Sequence, residues 1–283
     1  MNLLTIIIIY LILAPLIGGI ITGLDRKITA RMQRRFGPPI LQPFYDVYKL
    51  FQKENMVVRR SQNVYIFFYL LFIVFTGALF FTGEDFLLVI FSLTLAAIFF
   101  ILAGYKGSSP YSYIGAEREL LQLMSYEPMV ILTAVGMYMI TKTFYIANII
   151  AFPEPLILYL PGIFIGLTYV FTIKLRKSPF DLSTSHHGHQ EIVKGITTEF
   201  SGSALGLIEI AHWYEVAFLM GFIYLFYAVT PIIGILLALA VYFLEIFIDN
   251  VFARLRWQYT LSSSWIVAIV LGLGNIIALT IFR

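Results

Sequence analysis

Glu209, His212 and Glu215 recur every three residues in the otherwise apolar stretch SALGLIEIAHWYEVAFLMGFIYLF. On a helix, Glu209 and His212 share one face, and His212 and Glu215 share the next patch along it. An ionised side chain near mid-bilayer costs roughly 2.5–3.5 kcal/mol on insertion scales, so three on one helix imply that something pairs with them or uses them. The expected consequence is a polar cavity inside a helical bundle. The alternative is a shallow position, where Lys or Arg from a neighbouring loop neutralises them. Glu127, read as opening a helix with Pro128 in its first turn, would join them, as would Glu245 near the end of another apolar run. With Glu191 and Glu199 they make a series of carboxylates around one half of the bundle. Buried carboxylates change protonation when a neighbouring charge changes, which a proton relay or an electrostatic coupling element requires.

The least apolar long stretch, SPFDLSTSHHGHQEIVKGITTEF at 178–200, holds three of the four histidines, His186, His187 and His189. Imidazoles at this spacing could converge on a metal with Glu191 as a further ligand, but the helical HExxH spacing is missing. A docking loop rich in hydrogen-bonding groups and facing a protein partner is the better reading, and no metal is expected here. The cysteine count of zero excludes thiolate-bound iron–sulfur or nickel centres and disulfides in this chain. Neither a Walker motif nor a GxGxxG fingerprint occurs. Paired half-repeats with broken helices, the mark of many secondary transporters, are missing, and so is a nucleophilic serine at an elbow. The chain is therefore expected to contribute no catalytic residue, no cofactor and no nucleic-acid site of its own.

The elements that must position these groups follow from composition. Hydrophobic residues make up 60% and charged residues 12% of the 283, which describes an integral membrane protein. Runs of about 20 apolar residues predict an all-α, polytopic bundle rather than a barrel. Eight spans are expected, at about 3–23, 64–82, 86–104, 128–147, 155–175, 203–224, 226–247 and 264–282. They form a single transmembrane domain over 1–283, with polar loops at 24–63, 105–127, 176–202 and 248–263. The first segment lacks a basic flank and a cleavage site, and reads as a retained span. Seventeen of the nineteen Lys and Arg fall on one side, the exceptions being Lys142 and Arg283. The positive-inside rule makes that side cytoplasmic, with both termini outside the cell membrane. Within the first loop, PPILQPFYDVYKLFQKE suits a short amphipathic helix in the interface plane, with Leu41, Phe44, Tyr45, Tyr48 and Phe51 on its apolar face.

Four motifs carry a resemblance. DRKITARMQRRFGPPILQPFYDVYKLFQKE resembles a signature of the respiratory complex I membrane subunit that joins the hydrophilic arm and helps form the quinone chamber. SPFDL, with Glu191, VKG and TTEF after it, looks like that subunit's second signature. LMSYE ending at Glu127 and RLRWQ at Arg254–Gln258 match in the same order. The variants STSHHGHQE and IEIAHWYE look like the corresponding anchor of energy-converting, membrane-bound [NiFe] hydrogenases.

The resemblance implies a ferredoxin-driven, ion-translocating complex. Hydrogenase-like large and small subunits, carrying the nickel–iron centre and iron–sulfur clusters, would dock on Arg26, Arg31, Gln33, Arg34, Arg35, Asp46, Lys49, Asp181, His186, His187, His189, Arg254 and Arg256. Glu127, Glu191, Glu199, Glu209, His212, Glu215 and Glu245 would couple turnover to proton or sodium movement through antiporter-like membrane neighbours, with lipid around the chain. A quinone-site subunit of a complex I-type dehydrogenase and the anchor of a sulfur-reducing relative are the alternative readings. On the hydrogenase reading, which needs no lipophilic electron acceptor, the first signature's pocket behind Arg26, Gln33 and Asp46 is expected to be closed, lipid-filled or vestigial.

Overall fold

The computed structural model describes residues 3–54, 60–183 and 194–282, and these are almost wholly helical, with no named strand. In chain order the helices are α1 (Leu3–Met32), α2 (Gln42–Gln52), α3 (Arg60–Thr82), α4 (Phe86–Tyr105), α5 (Pro110–Thr141), α6 (Ile146–Ile150), α7 (Pro161–Lys174), α8 (Gly202–Tyr224), α9 (Pro231–Val251), α10 (Trp257–Val267) and α11 (Gly274–Phe282). A wider π turn, Ala268–Leu273, joins the last two into one rod. Among the described residues, seven helical segments are long and apolar enough to cross a membrane. The eighth, α7, has 14 residues, about 21 Å at the α-helical rise. That is short of the ~30 Å hydrocarbon core. The chain enters it through buried Leu156 and Leu160, with Leu158 exposed between them.

Three of the expected boundaries are corrected. Helix α1 continues nine residues beyond the expected end at 23, to Met32, because Arg, Lys, Ala and Met are good helix formers and no Gly or Pro intervenes before Gly37. Helix α5 begins at Pro110 rather than at 128. Ser109 caps it, its hydroxyl accepting from the Tyr111 N–H at 3.2 Å, and Pro110 takes the first-turn position. Glu127 and Pro128 consequently sit mid-helix, where neighbouring helices can satisfy the backbone group that a proline frees. The last span starts at Trp257, so residues expected in the loop 248–263 are largely helical.

Helix α8 occupies the centre, with α1, α2, α3 and α9 packed around it, and α5 gathers α4, α7 and α10 on the other side. Gly18 of α1 faces the Trp213 backbone, where a Cβ would collide; the missing side chain lets the two helices approach closely. Helix α2 forms as expected, but its buried stripe is Pro43 and Val47, with half-buried Phe44 packed on Trp213 at 4.9 Å between centroids. Leu41, Tyr45, Tyr48 and Phe51 of the predicted apolar face are exposed. Phe44 fits between Gly19 of α1 and Trp213 of α8, and the edge of Phe51 lies against Gly206 of α8, whereas Tyr45 and Tyr48 have no such groove and stay exposed.

Candidate functional site

Four cations and four acids meet around one short segment, 174–181, which begins at the end of α7 and contains SPFD. Lys174 reaches Glu215 of α8 at 2.6 Å, Arg176 reaches Glu119 of α5 at 2.6 Å, and Lys177 reaches Asp25 of α1 at 2.7 Å. Arg254, beyond the end of α9, pairs with Asp181. Each pair therefore ties this segment to a different element. Backbone hydrogen bonds repeat the pattern: Asp249 of α9 accepts the Ser178 N–H at 2.8 Å, Gln122 of α5 donates to the Phe180 carbonyl at 2.6 Å, and the Leu255 N–H donates to the Pro179 carbonyl at 3.0 Å.

The deepest pair is Lys174–Glu215, with side chains 6% and 1% exposed. Glu215 lies 13 residues into α8 from Gly202, roughly 20 Å along the axis. Lys174 meets it because α7 stops early. The ammonium also donates to the Tyr126 hydroxyl at 3.1 Å and lies 4.7 Å from the centre of that ring. His212 Nδ1 stands 3.7 Å from the second Glu215 oxygen. Breaking one partner of such a pair leaves an uncompensated buried charge, the costly case for ions in a low-dielectric interior.

Arg176 donates to both Glu119 oxygens, the Nε bonds measuring 3.2 and 3.0 Å, in the planar fork that suits a carboxylate. Burial alone would lower the Arg176 pKa, but the Glu119 carboxylate raises it well above the ordinary value, so the pair stays ionised. The cavity beside Lys174 and Tyr126 measures about 10 Å³. That is at the lower limit of ~10–15 Å³ for a single water. The expected polar cavity around this acid set is thus replaced by directly packed ion pairs, because α7 and the segment after it supply cations that a reading of α8 alone does not reveal.

The residues singled out from sequence separate into groups. Glu215 and His212 come together, whereas Glu209 on the same helix is half-buried and makes no ion pair among the described residues. Glu127 accepts from the Thr94 hydroxyl at 3.0 Å and borders an otherwise apolar cavity of about 460 Å³ with Trp265 and Ile269. Glu245 is fully buried on α9. Glu199 lies apart from the buried pairs: it accepts the Ser108 and Ser109 N–H groups and the Gln62 amide, closing the turn between α4 and α5. His186, His187, His189 and Glu191 fall outside the described residues.

Among the docking candidates, Arg26 pairs with Asp46 at 2.7 Å, both about 40% exposed, and Gln33 donates to Asn250 at 3.2 Å. Arg31 lies over the Phe36 ring, while Arg34, Arg35, Lys49, Arg254 and Arg256 are exposed on the same basic face. Asp181 is buried against Arg254. Sequence reasoning missed Asp25, Glu119, Lys174, Arg176 and Lys177 as site residues. The available signal was a KLRK run directly after an apolar helix, with Asp25 and Glu119 each embedded in a helix that continues past it.

A sequence model described as NADH dehydrogenase matches residues 4–280. Hydrogenase-4 component C of Escherichia coli (strain K12) is 31% identical over 217 residues, covering 71% of this chain and 66% of that protein. An NADH-quinone oxidoreductase subunit of Syntrophobacter fumaroxidans is 26% identical over 299 residues, covering 92% and 89%. A chain from the membrane-bound sulfane sulfur reductase, an archaeal respiratory membrane complex, superposes with a TM-score of 0.85 at 23% identity, over 97% of this chain and 100% of that one, and shares its fold. With a match over nearly its whole length, the chain belongs to the NADH dehydrogenase subunit 1 family, as a multi-pass membrane subunit related to those of complex I-like and hydrogenase-like oxidoreductase complexes.

Proposed function

We propose that this chain anchors the hydrogenase-like redox arm of a ferredoxin-driven complex and couples arm turnover to movement of protons or sodium ions. On this reading the basic face is cytoplasmic, both termini lie outside, and the arm rests on the loop 176–202 and on the exposed arginines of α1 and the α9–α10 link. The nickel–iron and iron–sulfur centres belong to partner subunits, and antiporter-like membrane neighbours receive the charge. The observation that carries it is the continuous set of ion pairs from Asp181–Arg254 at the rim, through Arg176–Glu119, to Lys174–Glu215 about 20 Å along α8.

A partner pressing on the segment moves Lys174 relative to Glu215. Because the buried carboxylate tolerates charge only while the ammonium is near, a displaced lysine obliges Glu215 to take up a proton, and a returning one releases it. Rim motion is thereby linked to protonation at depth. The same loop carries three histidines in its sequence, a residue type whose ordinary pKa lies near neutral pH.

Two observations favour an arm that needs no lipophilic acceptor at the first signature. Gly23 of α1 abuts the Ile40 carbonyl and Gly19 abuts the Phe44 ring, so the chain entering α2 lies directly on α1 behind Arg26 and Asp46. Hydrogenase-4 component C is also among the most similar relatives. The quinone-site alternative rests on the relatives named NADH-quinone oxidoreductase subunits. Metal analysis of the native complex separates them: stoichiometric nickel is expected, and a nickel-free complex inhibited by quinone analogues would reject the hydrogenase reading.

A further inference from the structure

Helix α9 carries a carboxyl group that the coupling path above does not use. Glu245 is 1% exposed, and among the described residues neither of its oxygens has a hydrogen-bond partner. It stands beside a different ion pair from Glu215. Tyr242, one turn back on α9, donates its hydroxyl to Asp25 Oδ2 at 3.1 Å, and the same Asp25 oxygen holds the Lys177 ammonium at 2.7 Å. That ammonium also lies 5.2 Å from the centre of the Tyr242 ring. Asp249, one turn on, accepts the Ser178 N–H. From α8 and α7, which also pack on α9, His212, Glu215 and Lys174 are engaged with one another, while Glu209 of α8 is half-buried and makes no ion pair among the described residues.

A buried carboxylate with no donor among the described residues, and with Asp249 four residues away, is an unstable arrangement; the same group carrying a proton is neutral and stable. We propose that Glu245 is a proton-carrying site of this subunit, exchanging its proton with Asp25 as Lys177 swings between the two carboxyls. In the state seen, Lys177 neutralises Asp25, and Glu245 holds the proton. In the other, the ammonium neutralises Glu245.

The exchange balances. The Glu245 O–H bond breaks as its proton passes to the Tyr242 oxygen, and the Tyr242 hydroxyl proton passes to Asp25 along the hydrogen bond already present. Lys177 remains an ammonium throughout. The cluster begins and ends with one cation, one carboxylate and one carboxylic acid, so the buried charge is unchanged. Only a rotation of Glu245 toward Tyr242, on the same face of α9, and a swing of the lysine are required. Since Lys177 and Ser178 belong to the segment that the proposed arm presses, this deepens the coupling reading and rests on it for its trigger.

Infrared difference spectroscopy on the intact complex tests the proposal without depending on what the arm reduces. The wild type should show a protonated-carboxyl stretching band at neutral pH, sensitive to deuterium exchange and lost in Glu245→Gln. In Asp25→Asn the lysine has only Glu245 to neutralise, so the band should again be lost. In Lys177→Met it should persist and stop responding to turnover. Identical spectra of wild type and Glu245→Gln would overturn the proton site. A band that persists in Asp25→Asn, or still responds to turnover in Lys177→Met, would overturn the exchange. Should Asp25→Asn not assemble, the Lys177→Met spectrum decides the exchange alone. Failure of the coupling reading itself registers separately, as undiminished ion transport in variants of Lys174 and Glu215.

Discussion

The two ends of the bundle are held together differently. Toward the basic face, α1, α5, α8 and α9 meet the segment after α7 through ion pairs in which most members are largely buried. Toward the opposite face, α8 and the turn after it meet α3, α4 and α7 through aromatic rings. Phe80 stacks edge-on against Phe218 at 5.2 Å, Phe86 against Phe222 at 5.1 Å, and Phe164 against Phe226 at 5.2 Å. Dispersion between close-packed rings is short-ranged and indifferent to protonation, which suits a clamp that keeps its geometry. Buried ion pairs contribute little net stability, since desolvation offsets attraction, but they have alternative pairings and respond to any charge brought nearby. On the coupling reading proposed above, the contrast assigns any switch to the charged end and the holding of geometry to the aromatic one.

That contrast can be broken by substitution, and the expected losses are graded. Lys174→Met strands Glu215 and should destabilise by about 3–5 kcal/mol, whereas Lys174→Met with Glu215→Gln should recover most of that loss; thermal unfolding of the detergent-extracted complex reads both. Arg254→Gln removes the counter-ion of a mostly buried aspartate whose partner is itself partly solvated, so a loss of about 1–3 kcal/mol is expected by the same measurement. Phe222→Leu at the aromatic end changes volume without charge and should cost about 1–1.5 kcal/mol, with ion transport per electron unchanged. Arg26→Gln breaks a pair exposed on both sides and should cost less than about 1 kcal/mol. If Phe222→Leu impaired coupling while Lys174→Met did not, the division between the two ends would be wrong.

How far the site is legible without the structure follows the range of each interaction. Glu215 is recoverable because a carboxylate inside an apolar helix must be answered from somewhere, and that cost is local to α8. Its partner is not, because Lys174 looks like an ordinary basic flank until α7 is seen to be 14 residues long. Glu127 reads as a helix start since Pro128 follows it, yet Ser109–Pro110, earlier in the chain, is the better cap-and-proline signal and lies where a loop is expected. The helical 24–32 region is hidden by hydropathy, which reports lipid exposure and is blind to a helix that leaves the membrane. Glu199 groups with the coupling acids by type, but its neighbours are backbone N–H groups and an amide. The fold class and the family are readable; the central place of α8 and the pairing of charges between helices distant in sequence are not.

The measurement closest to the central claim is ion uptake per electron in inverted vesicles carrying Glu215→Gln, beside hydrogen evolution by the same complex. A neutral side chain at this position removes the charge that Lys174 answers while keeping nearly the same shape. The account predicts that uptake falls at least tenfold while the arm stays attached and hydrogen evolution persists. Wild-type uptake at undiminished turnover would contradict it.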